Sequence, residues 1–350
     1  MKRLERLLRE AIDRGDMPGC TYLVMQRGRV VAQGALGDTP AGMDTLYDLA
    51  SLTKPIMALG MMKLFEEGRY RLDDPASLYV PGMRRPDKEA ITIRQLLTHS
   101  SGIPGPVQLY RSCHTRQEMM EAVYDLPLRH APGTFVEYTC QGMMVVGEVF
   151  ETLAEERMDR YMQRHFFEPM GIKDLLFRPS PDLVPRCAPT ENCPWRGHVV
   201  RGQVHDENCV VLGEISMNAG LFGTAAAVAA IGELMLGGGV YRGRRYLRRA
   251  TVELMTMNHT AHLNLARGLA WQLKDREGSP AGDLFSPGTF GHTGFTGTSM
   301  YIDPIRSVIF VLLANRIHPT RTNEAFLRTR PIAHNMVILD LEEMEEQARP

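Results

Sequence analysis

The feature that most restricts the fold of this 350-residue chain is a long apolar run behind the tetrapeptide Ser51-Leu52-Thr53-Lys54. The run from Pro55 to Gly68 is rich in Met, Leu, Ile and Ala and carries few charges. Its length predicts a helix, and its apolar character on all sides predicts that the helix is buried. Proline lacks an N–H group and is tolerated only in the first turn of a helix. The helix is therefore predicted to begin near Ser51.

Ser51 and Lys54 are three residues apart, so their side chains share one face of this helix. The hydroxyl would lie at the positive end of the helix, where backbone N–H groups are unpaired. A buried ammonium group must be paired or lose its proton, and a serine beside such a lysine can be activated as a nucleophile. The alternative is a serine that caps the helix and a lysine on the surface, and the four residues alone favour that alternative.

Strand patterns occur at both ends of the chain, and helical patterns dominate the middle. A hairpin is predicted over Cys20–Gln26 and Arg29–Gly34, and a long helix from Tyr138 to about Met170. The remaining strands are predicted over Gly268–Leu273, Thr289–His292, Thr298–Asp303 and Ser307–Asn315. This segregation indicates the α+β class, with an antiparallel sheet from the N- and C-terminal strands, flanked by the terminal helices, beside a mostly helical lobe.

The chain is predicted to form one catalytic unit over residues 1–350. Residues 1–57 and 258–350 would form the α/β lobe, and residues 58–257 the mostly helical lobe with its loops. The helix after Ser51 would lie at the seam between the lobes, where a pocket is most expected.

Charge and composition exclude several classes of function. Forty Lys and Arg residues against 41 Asp and Glu residues give a net charge of −1, which argues against nucleic-acid binding and against a polybasic membrane contact. No segment approaches the ~20 apolar residues of a spanning helix. The N-terminal segment has neither an apolar core nor a cleavage site of a signal peptide, so the six cysteines are expected to be free thiols and the protein cytoplasmic. No cofactor and no metal site is predicted, and the oligomeric state stays open.

Two further motifs follow the serine and lysine along the chain. Tyr138 stands just after the loop Pro132-Gly133, where its phenol can reach the seam, although a tyrosine of the core is the simpler interpretation. The segment Phe290–Ser299 contains His292-Thr293-Gly294 on a predicted edge strand. Glycines within a strand usually mark a close approach of a ligand or of another backbone, and the alternative is a turn with a bulge.

Together and in this order, the three motifs resemble those of the penicillin-recognising serine hydrolases, and most closely the class C β-lactamase-like branch. That branch also contains esterases, DD-carboxypeptidases and D-aminopeptidases, and the resemblance covers nearly the whole chain. It implies a serine β-lactamase-like fold with Ser51 as the nucleophile that forms an acyl-enzyme. It also implies that Lys54 accepts the proton or holds the charge of the base, and that Tyr138 is the general base, as a phenolate favoured by nearby cations. The backbone N–H groups of Ser51 and Phe295 would form the oxyanion hole.

Two positions depart from the pattern of that branch. Cys140 stands where the tyrosine motif usually has Asn, and a thiol is a poor substitute for an amide that both donates and accepts. His292 stands where β-lactamases usually carry lysine, and histidine is largely neutral at pH 7. Both changes would weaken recognition of a substrate carboxylate or amide by Cys140, His292, Thr293 and Gly294.

The sequence therefore predicts a carboxylesterase that acts on small esters and has little or no β-lactamase activity. The alternatives are a peptidase on D-amino-acid peptides and an acyltransferase. A protein that has lost its chemistry and serves in binding is less favoured, because Ser51, Lys54 and Tyr138 are all present. The expected partner is in every case a small-molecule ester or peptide substrate.

Overall fold

The computed structural model describes residues 1–38 and 42–348 of the chain. The predicted α/β lobe includes residues 39–41 and 349–350, which lie outside the described residues. The α-helices of the described residues are, in chain order, α1 (Lys2–Asp13), α2 (Thr53–Glu66), α3 (Ile93–Leu97), α4 (Arg116–Asp125), α5 (Cys140–Ala154), α6 (Met158–Met162), α7 (Glu207–Val211), α8 (Ala225–Leu236), α9 (Arg249–Thr256) and α10 (Ala325–Gln347).

The strands are, in chain order, β1 (Gly19–Gln26), β2 (Arg29–Gly37), β3 (Tyr47–Asp48), β4 (Leu175–Phe177), β5 (Asn192–Cys193), β6 (His198–Val199), β7 (Leu221–Gly223), β8 (Val240–Tyr241), β9 (Arg244–Arg245), β10 (Gln272–Leu273), β11 (Phe290–Thr293), β12 (Ser299–Asp303) and β13 (Val308–Ala314).

A six-stranded antiparallel sheet in the order β10-β11-β12-β13-β1-β2 joins the two ends of the chain. The central pairing is that of β1 with β13, in which Cys20 lies opposite Ala314 and Gln26 opposite Val308. Both strands are buried along nearly their whole length, which agrees with their runs of Val, Leu and Ile. The predicted α+β class, with a sheet built from N- and C-terminal strands, is confirmed.

Each face of the sheet is covered by helices. Helices α1 and α10 pack together over one face, where Leu8 and Val337 belong to the same buried apolar cluster. Helix α8 covers the opposite face, and Gly232 brings it close to Met300 and Ile309 of the sheet. Because α8 belongs to the middle of the chain, the sheet takes one of its packing partners from residues 58–257. The division into two lobes at residues 57 and 258 stays a prediction.

Helix α2 is the buried helix that the apolar run predicts. A 3₁₀ turn over Ala50–Leu52 leads into α2, so Ser51 lies at the N-terminal end, as predicted from Pro55. Helix α2 packs against α5 and α6. Lys54 is fully buried in its first turn. The interpretation of Lys54 as a surface lysine is therefore wrong.

Two element predictions near the site are wrong in their bounds. The helix predicted from Tyr138 to Met170 starts at Cys140 and stops at Ala154, because Glu155 takes a left-handed conformation with φ 55°. It continues as α6 and a π-helical turn over Gln163–Phe167. The strand predicted over Gly268–Leu273 is reduced to β10, since the backbone turns back on itself with a hydrogen bond of 2.9 Å from Gly268 N to Trp271 O.

Gly60 sets the distance between α2 and its neighbours, and its replacement tests that packing. A Cβ atom at Gly60 would overlap the ring of Phe150 and lie 2.7 Å from Met162 Sδ. We expect Gly60→Ala to lower the free energy of unfolding by about 1–3 kcal/mol, in spite of the better helix propensity of alanine. Chemical denaturation measures this change.

The matched control is Gly147→Ala in α5, where the added Cβ would meet the flexible end of Met158 at 3.1 Å and only ordinary contacts beyond it. This second substitution is expected to be close to neutral. Equal effects of the two substitutions would contradict the packing argument.

Candidate active site

Lys54 stands at the centre of a complete set of hydrogen bonds. Its Nζ lies 2.9 Å from Ser51 Oγ, 2.8 Å from the backbone oxygen of Asn218 and 3.6 Å from Cys140 Sγ. An ammonium group has three N–H donors, and each finds an acceptor here. The three acceptors belong to three separate segments, so Lys54 joins the turn of Ser51, the start of α5 and the loop before β7.

The backbone around Ser51 is held in a strained turn by a buried carboxylate. Ala50, directly before Ser51, has φ 46°, a conformation that is costly for a residue with a Cβ. Asp48 Oδ1 accepts a hydrogen bond of 2.8 Å from the N–H of Ala50, and Asp48 Oδ2 accepts one of 2.6 Å from the N–H of His205. Burial raises the pKa of Asp48. Asp48 thus fixes the turn that presents the Ser51 hydroxyl.

The loop after β11 is tied to the same turn. Thr296 Oγ1 donates to the backbone oxygen of Asp48 at 2.7 Å, and Thr298 Oγ1 donates to that of Leu49 at 3.0 Å. Gly294 is required here, because a Cβ atom would overlap the Leu49 carbonyl oxygen. In the described structure the N–H groups of Ser51 and Phe295 make no backbone hydrogen bond. Two free donors are therefore held on adjoining segments, which is what an oxyanion hole needs.

Tyr138 lies between basic side chains on the last residues before α5. Its ring centre is 4.7 Å from that of His99 and 5.9 Å from that of His292, and Lys54 Nζ is 5.0 Å from the ring centre. The phenol oxygen is buried and has no hydrogen-bond partner among the described residues. Burial raises the pKa of Tyr138, and the Lys54 ammonium offsets only part of this increase. This direction favours the phenol over a resting phenolate, and the role of Tyr138 as the general base stays a prediction.

The pKa values of Lys54 and Cys140 are also shifted, by burial and by their charged neighbours. Burial lowers the pKa of Lys54, but its interactions with Cys140 and Tyr138 raise it by more, so the pKa lies above that of ordinary lysine. Burial raises the pKa of the Cys140 thiol, and the Lys54 ammonium opposes this only in part. The resting site thus contains an ammonium, a phenol and a thiol. One proton must leave this group before it can accept a proton from Ser51.

His292 is buried on β11 and carries no charge at neutral pH. Burial first, and then the charge of Lys54, lower the pKa of His292 to about 3. Its Nδ1 is 2.7 Å from the backbone oxygen of Thr293, and the N–H must be on this nitrogen for the bond to form. The short strand β10 pairs with Phe290 and Gly291 but not with His292 or Thr293. The prediction that β11 is an edge strand is wrong, because β11 lies between β10 and β12; β10 is short, however, and leaves the end of β11 unpaired on that side.

The structure brings together the residues that the motifs single out. Ser51, Lys54, Tyr138 and Cys140 surround one point at the end of α2, with His292 beside Tyr138. Thr293 and Gly294 continue β11 into the loop that carries the Phe295 N–H. The Phe295 side chain is 47% exposed, and its ring lies between His205 and the guanidinium of Arg316.

Asp48 and Asn218 contribute to this arrangement without a signal in the motifs. Asp48 lies only three residues before Ser51. The sequence signal for its role is an acidic residue within an apolar segment. Asn218 supplies a backbone oxygen, which no side-chain pattern reveals. Its side chain is fully buried, and Nδ2 has no hydrogen-bond partner among the described residues.

A cluster of possible metal ligands lies behind Phe295. The ligand atoms of Glu191, Cys193 and Glu207 are all within 4.8 Å of one another. Arg321 donates hydrogen bonds to both carboxylates, and His205 Nε2 is 3.0 Å from Glu191. The guanidinium thus occupies the place that a cation would take, and the cluster is an ion-pair network.

An antiparallel sheet with helices on both faces, and a serine bonded to a buried lysine at the end of a buried helix, define the serine β-lactamase-like class of serine hydrolases. The sequence profile described as Beta-lactamase matches residues 4–333, and the chain belongs to this family. The resemblance that the three motifs indicate is confirmed.

Several known proteins resemble this chain in sequence or in structure. The chain is 29% identical to a protein of Escherichia coli (strain K12) named "Putative D-alanyl-D-alanine carboxypeptidase", over 91% of this chain and 82% of that one. The structure resembles EstCE1, a hydrolase with promiscuous acyltransferase activity, with a TM-score of 0.74, 21% identity and coverage of 94% and 97%. It also resembles a class C β-lactamase from Rhodobacter sphaeroides, with a TM-score of 0.75, 18% identity and coverage of 97% and 100%. The two structural likenesses show the fold.

Within residues 1–38 and 42–348, no helix is both long enough and apolar enough to cross a membrane. The cytoplasmic location stays a prediction.

The state of Cys140 can be measured by its rate of alkylation. Because its pKa is raised, the thiol is protonated at pH 7, and iodoacetamide reacts with the thiolate. We expect slow alkylation at pH 7 and a rate that rises continuously as the pH increases to 10, followed by intact mass. Cys140→Ser is the control that identifies the site, since the other five cysteines are buried. Rapid modification at pH 7 would show instead that Lys54 lowers the pKa of Cys140.

Proposed function

We propose that this serine hydrolase is a carboxylesterase that acts on small esters through an acyl-enzyme on Ser51. The observation that carries the proposal is the 2.9 Å hydrogen bond between Ser51 Oγ and a fully buried Lys54. A lysine held in this way, with a phenol beside it, provides the proton acceptor that a serine nucleophile needs.

In the proposed reaction, Ser51 Oγ attacks the carbonyl carbon of the ester. Its proton passes to the Lys54–Tyr138 pair, which has first lost one proton to solvent. The N–H groups of Ser51 and Phe295 bind the negative oxygen of the tetrahedral intermediate. Tyr138 returns the proton to the leaving oxygen as the carbon–oxygen bond breaks. Water then attacks the acyl-enzyme by the same proton transfers, releases the acid and restores Ser51.

The choice of an ester is supported by two side chains. His292 is neutral, so it provides no charge that would attract a carboxylate at the position where β-lactamases usually have lysine. Cys140 lies against Lys54 and lacks the amide that would hold the peptide bond of a substrate. An ester needs neither contact, because its leaving group departs more easily than an amine.

A second candidate is a peptidase on D-amino-acid peptides. It is favoured by the name of the E. coli relative, which shares most of its length with this chain. Transfer of the acyl group to an alcohol or amine instead of water would use the same acyl-enzyme, and EstCE1 is described as a hydrolase with that additional activity.

The proposed nucleophile is tested with p-nitrophenyl butyrate and two variants. We expect Ser51→Ala to reduce kcat/KM by about three orders of magnitude or more, because it removes the atom that forms the acyl-enzyme. Cys140→Ser, in which the neighbouring nucleophilic atom is changed instead, should remain active. A fluorophosphonate should add one mass increment to the wild type and none to Ser51→Ala. Retained activity in Ser51→Ala would overturn the assignment.

The proposed substrate class is tested by comparing this ester with nitrocefin. We expect hydrolysis of nitrocefin to be at least about 100-fold slower in kcat/KM, since the site lacks the amide and the lysine discussed above. His292→Lys supplies a cation and should raise nitrocefin turnover without a similar gain on the ester. Efficient nitrocefin hydrolysis by the wild type would count against an esterase.

A further inference from the structure

His205 lies where the two halves of the candidate oxyanion hole meet. Its backbone N–H donates the 2.6 Å hydrogen bond to Asp48 Oδ2, and Asp48 Oδ1 in turn holds the N–H of Ala50, directly before Ser51. Its ring lies nearly parallel to the ring of Phe295, with the ring centres 5.8 Å apart and an angle of 19° between the planes. Ser51 and Phe295 carry the two N–H groups of the candidate oxyanion hole. One buried residue thus contacts the segments that carry both groups.

The ring of His205 is itself fixed by a buried carboxylate. Its Nε2 lies 3.0 Å from Glu191 Oε2. Burial alone would raise the pKa of Glu191, but the hydrogen bonds from His205 and Arg321 outweigh burial and lower this pKa to about 2. An ionised carboxylate only accepts hydrogen bonds, so the N–H that meets it is on Nε2 of the ring. Glu191 therefore sets the orientation in which the His205 ring faces Phe295.

Arg321, in the segment between β13 and α10, anchors Glu191 from the far end of the chain. Its Nε is 2.8 Å from Glu191 Oε1 and 2.7 Å from Glu191 Oε2, and its Nη2 also donates to Glu207. The two segments are joined by their backbones as well, since the N–H of Asn192 donates to the oxygen of Pro319 at 2.8 Å. Both carboxylates are buried, a position that charged groups take in proteins when they are paired. This ion-pair network is therefore a rigid base for His205.

We propose that His205 positions the oxyanion hole by keeping the N–H groups of Ser51 and Phe295 at a fixed separation. This inference rests on the proposed acyl-transfer function. Two donors stabilise an oxyanion only when both are aimed at the place where the negative charge develops, and a displacement of about 1 Å can cost about 100-fold in rate. His205 acts through Asp48 and Phe295, not by contact with the reacting atoms, so it is a positioning residue.

Both segments of the oxyanion hole need such a support. Ala50 has a φ of 46°, and a conformation of this kind persists only where the surrounding structure enforces it. The Asp48 carboxylate enforces it, and this carboxylate is shared between the N–H groups of Ala50 and His205. The Phe295 side chain is 47% exposed, and its ring is held between His205 and the guanidinium of Arg316. A change at His205 should therefore reach both N–H groups at once.

The test follows hydrolysis of p-nitrophenyl butyrate by two variants of His205. We expect His205→Ala to lower kcat by about 10- to 100-fold with KM within about twofold, because the oxyanion forms only in the transition state. His205→Gln keeps an N–H for Glu191 but lacks the flat ring, and it should lose less activity. His165→Ala is the matched control with unchanged kcat. It removes another histidine stacked on an aromatic ring, that of Tyr161 at 4.2 Å, in a π-helical turn that supplies nothing to the site.

A second comparison tests the contact with Phe295. Phe295→Ala keeps the backbone N–H and removes the ring against which His205 packs. Because both changes break one contact, the double variant of Phe295→Ala and His205→Gln should be about as active as the less active single variant. Additive losses would overturn the inference, as would a wild-type kcat in His205→Ala or a loss confined to KM. A lower Tm of His205→Gln with unchanged kcat would show a merely structural role and would overturn it too.

A binding measurement with propylboronic acid separates this inference from the proposed function. When the acid adds to the Ser51 hydroxyl, the oxygen–boron bond forms, the hydroxyl proton leaves to solvent, and boron becomes a four-coordinate anion with one oxygen in the oxyanion hole. The acid should raise the Tm of the wild type, leave that of Ser51→Ala unchanged, and raise that of His205→Gln by less than that of the wild type.

The two proposals then fail in different ways. If the wild type does not hydrolyse the ester but this difference in Tm is found, the esterase proposal fails and the positioning role of His205 stands. If the ester is hydrolysed and the acid raises the Tm of the wild type and of His205→Gln equally, the positioning role fails and the esterase stands.

Discussion

The hydrogen bonds of one buried ammonium group hold the site together. Lys54 is fully enclosed, so its charge is tolerable only when all three N–H donors are satisfied at once. Ser51, Cys140 and the carbonyl of Asn218 satisfy them, and these acceptors come from three distant parts of the sequence. Lys54 can therefore be buried only when these three parts of the chain are folded around it. Because the Ser51 hydroxyl is one of the three acceptors, the burial of Lys54 also positions this hydroxyl.

The elements around Lys54 act as a frame for two backbone segments. Asp48 holds the strained residue before Ser51, and Thr296 and Thr298 fasten the loop after β11 to the same stretch. Free N–H groups on the two segments can stabilise an oxyanion only if the segments keep a fixed distance. The frame relies on buried side chains rather than on surface contacts, and Gly294 allows the two backbones to approach.

Much of this could be predicted from the sequence, because it depends on local pattern. The apolar run after Ser51 shows a buried helix, Pro55 fixes its start, and terminal strands with a helical middle show the α+β class. Asn218 could not be predicted in the same way. It acts through a backbone oxygen, which no side-chain pattern reveals. The direction of the pKa shift of Tyr138 could not be predicted either, because the extent of burial, which outweighs the nearby Lys54, is a property of the folded chain.

Fixed positive charges are buried near the site. Lys54 and Arg330 are buried cations near the end of β11. Burial first, and then nearby positive charges, keep His99 and His292 neutral beside Tyr138. A positive field that is fixed before the substrate arrives costs no reorganisation when an oxyanion forms. Such a field stabilises the negative charge that develops on the oxyanion.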